Sequence, residues 1–208
     1  QLAHYRALKS QVNPHFLANA LESIQMKAVI NKQRDIAEMI GLLGQLFRIT
    51  IQSGKETITL EEELTHIRLY IQVQQMRFGD KIQYIENLAP HSNSIHIVHF
   101  SLQPLVENAI IHGLEPMLGQ GTLELSSTFS GKDLLIKIQD NGVGINPEQV
   151  QQLRDYLEKS SNTLTEEHIG LKNVHEQIRY YFGNKYGITI DSVLGEGTTL
   201  TVRIPALS

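Results

Sequence analysis

Cysteine is absent from the 208 residues, and no apolar run approaches the roughly 18 residues that a membrane-spanning helix needs. Without cysteine the chain has no disulfide and no thiolate metal site, which fits a reducing compartment. The net charge is −4 with both signs interspersed, so no basic stripe favours nucleic acid as a partner. None of the nine histidines pairs as His-x₃-His or His-Glu-x-x-His, which disfavours a zinc site.

The length and composition fit two small globular domains, since 41% of the residues are hydrophobic. The chain begins at Gln1 in a helical pattern without an initiating methionine, so we expect part of a longer protein. The hydrophobic period changes from helical to alternating near Ile82. We therefore predict an α+β protein with a helical hairpin at 1–54, a connector at 55–80 and an α/β domain at 81–208.

Two amphipathic helices are predicted at the N-terminus. The first runs from Leu2 to Ile30, and the second opens at a capping box of Asp35 with Glu38 and ends at Gly54. One hairpin cannot bury both apolar faces, and a second copy of it completes a four-helix bundle about a two-fold axis. The pattern therefore predicts a homodimer.

The first helix also carries a polar stripe. Helical spacing places His15 on that stripe together with Asn19 and Glu22. Pro14 comes directly before His15, and a proline inside a helix costs about 3 kcal/mol, which packing alone hardly justifies. On this stretch alone, a solvated histidine beside a tolerated kink is the simpler interpretation. A binding site further along the chain would favour a functional histidine over this simpler interpretation.

The connector and the segment after it follow standard start and stop signals. Thr59 and Glu62 form a capping box that opens a helix to Phe78, and Gly79 follows as its stop. Later in the chain, a helix capped by Ser101 is predicted to reach His112, with Pro104 in its first turn and Gly113 at its exit.

Alternating apolar residues predict a sheet. Its strands carry Ile82 and Tyr84, Ile95 and Ile97, Leu123 and Leu125, Leu134 to Ile138, Ile188 and Ile190, and Leu200 to Ile204. A short helix starts at Asn146-Pro147, and another carries Leu171 to Phe182 before Gly183. The polar, aperiodic run Lys159–Glu167 is predicted to be mobile.

Candidate binding residues stand where strands end and helices begin. Asp140 ends a strand and is followed by Gly142 and Gly144, which suits recognition of an amine such as the adenine N6 group but is also typical of a plain glycine-rich turn. Asn108 and His112 lie four apart on one helix and offer a carboxamide oxygen for Mg²⁺ and an imidazole for phosphate.

A second candidate element is Gly170-Leu171-x-Asn173, which opens a helix after the mobile run and offers backbone N–H groups to phosphates under a lid. Two familiar nucleotide motifs are excluded. Position 147 is proline where the Rossmann fingerprint needs its third glycine. The pairs Gly54-Lys55 and Gly131-Lys132 lack the serine or threonine of a Walker loop.

Taken together, these motifs resemble the sensor histidine kinases of the LytS and YesM type, whose ATP-binding domain belongs to the gyrase, Hsp90, histidine kinase and MutL superfamily. The resemblance covers nearly the whole chain. It rests on a phosphoacceptor motif at 14–19, an N box at 102–109, a G1 box at 140–144, a G2 box at 170–173 and a last glycine motif at 195–198.

The resemblance implies an α/β sandwich of the Bergerat ATP-binding type, with a mixed sheet and three helices. It implies an ATP-dependent and Mg²⁺-dependent protein histidine kinase in which His15 is the phosphoacceptor, Asn108 binds Mg²⁺ and Asp140 binds the adenine amine. The nucleotide pocket and its lid would further include His112, Gly142, Gly144, Gly170, Leu171, Asn173 and Thr198.

The same resemblance implies partners and a location. The kinase would act as a homodimer and pass its phosphoryl group to an aspartate on the receiver domain of a response regulator. It would be the cytoplasmic domain of a bacterial cell-membrane protein, attached to the membrane only through segments upstream of this chain.

The residue after the phosphoacceptor departs from a common pattern. Many other histidine kinases carry an acidic residue there that acts as the base, and here the residue is Phe16. Asn19 or Glu22 on the same stripe would then orient the His15 ring, or no residue does.

Three further departures concern other motifs. Ala18 stands where an aromatic residue is usual, and His168 stands where the G2 box usually begins with glycine. Pro104 occupies the place of the catalytic glutamate of gyrase-like members, which favours transfer to a protein side chain over activation of water. The alternative function is a nucleotide-binding dimerisation module of the same fold without kinase activity.

Overall fold

The computed structural model describes residues 14–52, 55–158 and 169–206. These residues belong to two compact units. Of the described residues, 14–52 and Arg68–Arg77 form the helical unit. The second unit contains Lys55–Ile67 and the described residues from Phe78 onward. The predicted connector 55–80 is thus shared between the two units. Among the described helices, none combines the length and apolar character that crossing a bilayer requires.

The helical unit contains a hairpin of two helices, α1 at Pro14–Ile30 and α2 at Arg34–Gln52. The turn between them is tight, because Lys32 adopts a positive φ of 57° and the Gln33 N–H donates to the Ala28 carbonyl at 2.9 Å. The predicted hairpin is present. The predicted start at Leu2 and the predicted stop at Gly54 lie outside the described residues.

The predicted Asp35 and Glu38 capping box is wrong. Asp35 lies in the first turn of α2 instead of preceding it. The Gln33 carbonyl already accepts a hydrogen bond from the Ala37 N–H at 3.0 Å, so the helix begins one residue before the predicted cap. An acidic side chain in the first turn still interacts favourably with the helix dipole.

Strand β1 (Thr57–Thr59) leads directly into helix α3 (Leu60–Phe78). The predicted capping box at its start is confirmed. The Thr59 N–H donates to Glu62 Oε2 at 2.8 Å, and the Glu62 N–H donates to Thr59 Oγ1 at 3.2 Å. Gly79 follows α3 with a φ of 61°, a conformation that suits glycine at a helix end.

The second unit contains a five-stranded mixed sheet. Its strands are β2 (Ile82–Asn87), β4 (Gly121–Ser130), β5 (Asp133–Asp140), β6 (Gly187–Val193) and β7 (Gly197–Pro205). The order across the sheet is β2, β4, β5, β7, β6, with β2 parallel to β4 and the other neighbours antiparallel. One face is buried and the other is polar, as the exposed Lys137 and Gln139 on β5 illustrate.

The strand predicted around Ile95 and Ile97 is present as β3 (His96–Val98), but it does not join the main sheet. It pairs antiparallel with β1, and Ile97 lies opposite Ile58. The sequence pattern did not predict β1, because three residues are too few to establish an alternation.

Three helices cover the buried face of the sheet. They are α4 (Gln103–Asn108), which continues with π-helical geometry through Ala109–Leu114, α5 (Pro147–Glu158) and α6 (Ile169–Phe182). The core between the layers is built from aliphatic side chains, including the fully buried Leu105, Ile110, Leu123, Leu125, Leu134 and Ile136. Mixed sheet and three helices agree with the predicted sandwich.

Glu63 of α3 caps the N-terminus of α4, and the prediction that Ser101 does so is wrong. Glu63 Oε1 accepts the N–H groups of Leu102 at 3.0 Å and Gln103 at 3.3 Å, and its Oε2 accepts the Phe100 N–H at 3.0 Å. The Glu63 side chain is fully buried. Burial raises the pKa of Glu63, and the three N–H donors act in the opposite direction.

Candidate functional site

A cavity of about 500 Å³ opens between the sheet and its helices, within the second unit. Its size falls in the range of small-molecule binding sites. The walls are mostly apolar, formed by Ala109, Ile138, Ile145, Leu153, Leu171, Ile190 and Leu200. The polar side chains around it are Asn108, His112, Asp140, Gln149, Gln152 and Thr198.

Asp140 is the buried carboxylate of this cavity. It ends β5 and is only 4% exposed. Burial raises the pKa of Asp140, while the N–H groups of Gly142 and Thr198 lower it. The Gly142 N–H donates to Asp140 Oδ1 at 2.9 Å, which fixes the carboxylate. A fixed carboxylate at the end of an apolar cavity is suited to accept a hydrogen bond from an amine.

Gly113 makes room for that carboxylate. A Cβ atom at position 113 would lie 2.7 Å from Asp140 Oδ1, so any side chain would displace it. The sequence pattern suggested only a helix exit at this glycine. Gly142 packs against the same segment, since a Cβ there would lie 2.2 Å from the Gly113 carbonyl oxygen. Gly142 therefore serves backbone packing and does not line the cavity.

Gly144 and the turn between β6 and β7 hold each other in place. Gly144 has a φ of 65°, and a Cβ there would lie 2.0 Å from the Val193 carbonyl oxygen. The Gly195 N–H donates to the Val143 carbonyl at 2.7 Å. Thr198, which pairs with Asp140 across β5 and β7, then lines the cavity beside Gly144.

Asn108 and His112 both face the cavity from the helix that Glu63 caps. Asn108 is the last residue of α4, and the π-helical segment that follows carries the exposed His112. The wider geometry is visible in the Glu115 N–H, which donates to the Ile110 carbonyl five residues earlier at 2.8 Å. Such π-helical turns are frequent at functional sites.

Only one of the three residues predicted to bind at the start of α6 lines the cavity. Leu171 is buried and lines the cavity, whereas Gly170 and the exposed Asn173 do not line it. The predicted lid at Lys159–Glu167 and the departure at His168 lie outside the described residues.

Helix α5 supplies cavity residues that the sequence reasoning missed. Gln149, Gln152 and Leu153 line the cavity from its first turns. Their spacing of three and four places them on one face of a helix. That pattern in the sequence could have identified them as a group that faces one neighbour. The helix starts as predicted, because Asn146 Oδ1 accepts the Gln149 N–H at 2.8 Å.

The predicted phosphoacceptor lies in the other unit. The backbone of His15 is helical, in the first turn of α1, and its side chain lies outside what the structure describes. Asn19 follows one turn later and is exposed. Glu22 forms an ion pair with Arg48 of α2 at 2.7 Å, so its carboxylate links the two helices of the hairpin.

Two known families match the chain. The histidine kinase family matches residues 3–82, and the histidine kinase-, DNA gyrase B- and HSP90-like ATPase family matches residues 94–208. The second match spans more than half of the chain and contains the whole cavity.

Curated relatives are similar over nearly all of the chain. Sensor histidine kinase YesM of Bacillus subtilis is 34% identical over 200 residues, which are 96% of this chain and 33% of the relative. Sensor histidine kinase YpdA of Escherichia coli is 35% identical over 204 residues, which are 98% of this chain and 34% of the relative. The chain thus spans about a third of the length of these relatives.

Solved structures share the fold. The histidine kinase domain of a blue-light activated histidine kinase from Erythrobacter litoralis superposes with a TM-score of 0.52 at 15% identity, covering 93% of this chain and 94% of that one. The catalytic domain of histidine kinase ThkA superposes with a TM-score of 0.53 at 13% identity, covering 72% of this chain and 95% of that one.

The chain belongs to the histidine kinase-, DNA gyrase B- and HSP90-like ATPase family. The additional histidine kinase family match over residues 3–82 and the curated relatives show that the chain is similar to sensor histidine kinases of the YesM type. The predicted family and fold class are both confirmed.

Proposed function

We propose that this chain is the kinase core of a two-component system, in which His15 takes the γ-phosphoryl group of ATP and passes it to an aspartate of a response regulator. The observation that carries the proposal is the cavity of the second unit, where the buried Asp140 carboxylate and the side chains of Asn108 and His112 surround an apolar interior.

Asp140 is the proposed partner of the adenine. Its carboxylate accepts the N6 amine, and the Gly142 N–H keeps the acceptor in position. Apolar side chains on opposite walls of the cavity, such as Ile138 and Leu153, suit the faces of a purine ring. Thr198 adds a hydroxyl beside Asp140.

Asn108 and His112 are the proposed partners of the phosphates. A carboxamide oxygen is the hard donor that Mg²⁺ prefers, so Asn108 fits a role in holding the ion. When bound, Mg²⁺ neutralises charge that develops on the phosphoryl oxygens. The N–H groups at the start of α6, around Gly170 and Leu171, suit phosphate oxygens. Asn173 follows at the start of the second turn.

His15 is the proposed nucleophile. The neutral imidazole uses the lone pair of one ring nitrogen to form a bond to the γ-phosphorus, while the bond from that phosphorus to the bridging oxygen breaks and ADP leaves. The proton on the other ring nitrogen is then released. Asn19 lies one helical turn after His15, so its carboxamide oxygen can accept a hydrogen bond from the N–H of the other ring nitrogen. Glu22 is the second proposed partner of that N–H.

The hairpin is the proposed dimerisation element, because its exposed apolar side chains include Phe16, Ile24 and Val29. We further propose that the dimer acts on the cytoplasmic side of a bacterial membrane within a longer sensor protein, since the matching relatives are sensor kinases about three times as long.

Labelling the chain with γ-phosphate-labelled ATP and Mg²⁺ tests the proposal. We expect a label that is labile in acid and stable in alkali, because the phosphorus–nitrogen bond of phosphohistidine hydrolyses in acid. His15→Gln should lose the label and retain ATP binding, and His91→Gln, an exposed histidine outside the cavity, should keep both. Transfer of the label to a receiver domain tests the second step.

Two outcomes would contradict the proposal in different ways. Label that persists in His15→Gln would remove His15 as the acceptor. ATP binding without any label would favour the alternative, a nucleotide-binding dimerisation module without kinase activity, for which the exposed Phe16 in place of an acidic residue is the supporting observation.

A further inference from the structure

Three metal-ligating side chains meet outside the cavity lining, within the second unit. Glu63 and His66 lie three residues apart on α3, and His99 lies in the segment between β3 and α4. One potential ligand atom from each side chain lies within 4.8 Å of the other two. Spacing of three residues places Glu63 and His66 on one face of their helix, which directs both toward the same neighbour.

His66 carries an unsatisfied ring nitrogen. Its Nδ1 atom is buried and has no hydrogen-bond partner in the part of the chain that the structure describes. Buried polar atoms are nearly always paired, so this imidazole nitrogen is available to a further ligand. Burial lowers the pKa of His66, and the charge of Glu62 acts in the opposite direction.

Glu63 is held in a fixed orientation. Its Oε1 accepts two backbone N–H groups and its Oε2 accepts one, from Phe100 at 3.0 Å. A carboxylate oxygen has two lone pairs, so Oε2 keeps one for a further ligand. Hydrogen bonds from the surrounding backbone orient metal-binding carboxylates in many sites.

The rings of the cluster are also positioned by packing. His66 and His99 meet edge to face with centroids 5.6 Å apart, and Phe100 lies against the His99 ring at 3.9 Å. Phe100 adopts a positive φ of 57°, which is uncommon for a bulky residue and turns the chain sharply next to the cluster. The backbone therefore presents His99 to α3 at some conformational cost.

We propose that Glu63, His66 and His99 bind one Zn²⁺ ion, with water as the fourth ligand. Two imidazoles and one carboxylate form a donor set that Zn²⁺ commonly takes. Bonds of about 2.1 Å in a tetrahedron hold ligand atoms about 3.4 Å apart. The ligand atoms here lie within 4.8 Å of one another, so the ion would draw them together by at most about 1.4 Å.

The site would join α3 to the segment that enters α4. Because α4 carries Asn108 to the cavity, the ion would hold the base of that helix from the side on which Glu63 caps it. No single-helix spacing reveals such a site, since His99 comes from a different segment. This explains why histidine spacing alone argued against zinc.

Metal binding by the full chain tests the proposal. Protein stripped with a chelator is titrated with Zn²⁺ in competition with a chromophoric zinc indicator, without nucleotide. We expect one tight site per chain, and binding at least a hundredfold weaker in His66→Gln and in His99→Gln. His96→Gln is the matched control, since His96 is exposed on β3 and lies three residues before His99. Replacing Zn²⁺ by Co²⁺ should give a visible absorption band that both variants lose.

Several outcomes would overturn the site. They are the absence of stoichiometric Zn²⁺ binding, equal affinity in both variants and the control, or loss of binding in His112→Gln instead. Circular dichroism of each variant checks the fold, and His99→Gln alone suffices if His66→Gln does not fold. Because no nucleotide or phosphorylation is measured, failure here leaves the proposed kinase activity unaffected, and failure of that activity leaves the site unaffected.

Discussion

The helical hairpin and the sandwich differ in how many large apolar side chains they bury. Among the described residues of the two hairpin helices, only Ala28 and Ala37 are buried hydrophobic side chains. The hairpin instead exposes Phe16, Ile24, Met26, Val29, Ile30, Ile36 and Leu43. The sandwich encloses leucine and isoleucine side chains from every strand of its main sheet between sheet and helices.

This difference separates two kinds of stability. The sandwich builds a buried aliphatic core from its own residues, although it also exposes single apolar side chains such as Leu118 and Tyr180. The hairpin exposes large aliphatic side chains in a contiguous helical element, which is typical of a surface that another chain covers. The proposed nucleotide binding therefore needs one chain, and the proposed dimerisation needs two.

The largest expected effect is confined to the sandwich. Asp140→Asn should weaken ATP binding at least a hundredfold, because the amide replaces a fixed acceptor in a buried site. Dimerisation should be unchanged. Calorimetric titration with ATP measures the first and light scattering the second. Asp80→Asn, at an exposed position outside the cavity, is the control, and wild-type affinity in Asp140→Asn would refute the adenine assignment.

A second variant acts on the hairpin alone. Glu22→Gln should lower the single-turnover phosphorylation rate roughly 10²-fold, as expected for loss of a general base, with ATP affinity unchanged. Arg48→Gln is the control, since it removes the ion pair at 2.7 Å but keeps the carboxylate. If both variants lose only a few-fold in rate, Glu22 serves the hairpin and Asn19 becomes the remaining partner of His15.

Matched isoleucines compare the two regions directly. Ile24 on the hairpin is 53% exposed and Ile85 on the sandwich is 46% exposed. Ile24→Lys should weaken dimerisation at least tenfold, because burying an isoleucine stabilises by about 1.5–3 kcal/mol and a symmetric dimer contains the position twice. Ile85→Lys should have no effect. Analytical ultracentrifugation measures both, and equal dimerisation constants would contradict the proposed interface.

The smallest expected effect is a pH dependence inside the sandwich. His175 is buried, and its Nδ1 accepts the Ile188 N–H at 3.0 Å. Burial and the Arg179 charge lower the pKa of His175. Its contribution to stability is therefore complete above the unfolded pKa near 6.5 and is lost as the pH falls through the lower folded value.

Chemical denaturation at a series of pH values measures this contribution. The free energy of unfolding should fall below about pH 6.5 in the wild type, and less steeply in His175→Gln. His96→Gln, an exposed histidine, should keep the wild-type slope. The same slope in all three proteins would exclude His175 as the titrating group.

The features that the sequence predicted correctly depend on neighbours along the chain. The Thr59 and Glu62 box, the start of α5 at Asn146 and the left-handed glycine after α6 at Gly183 all involve residues within four positions of each other. Hydrophobic periodicity similarly predicts helix and strand without knowledge of the partner element. From the order of the motifs we predicted that Asn108 and Asp140 share a nucleotide pocket, and both line the same cavity.

The features that were missed depend on residues far apart. The pairing of β1 with β3, the space that Gly113 leaves for Asp140 and the cap that Glu63 provides each join distant segments. Ser101 has the residue type and the position of an N-cap, but the carboxylate of Glu63 on α3 caps α4 instead. The Asp35 box failed for a smaller reason, since helix ends shift by a residue with little change in energy.

The cap at Glu63 has a consequence for where an autonomous nucleotide-binding fragment begins. The N–H groups of Phe100, Leu102 and Gln103 are satisfied by an acceptor 37 to 40 residues earlier in the chain. A fragment that starts with the main sheet, at Ile82, would leave these donors buried and unpaired and would remove the strand that pairs with β3. The helix that carries Asn108 would also lose the acceptor that caps its N-terminus. The smallest fragment that forms the cavity therefore begins before β1, near Lys55.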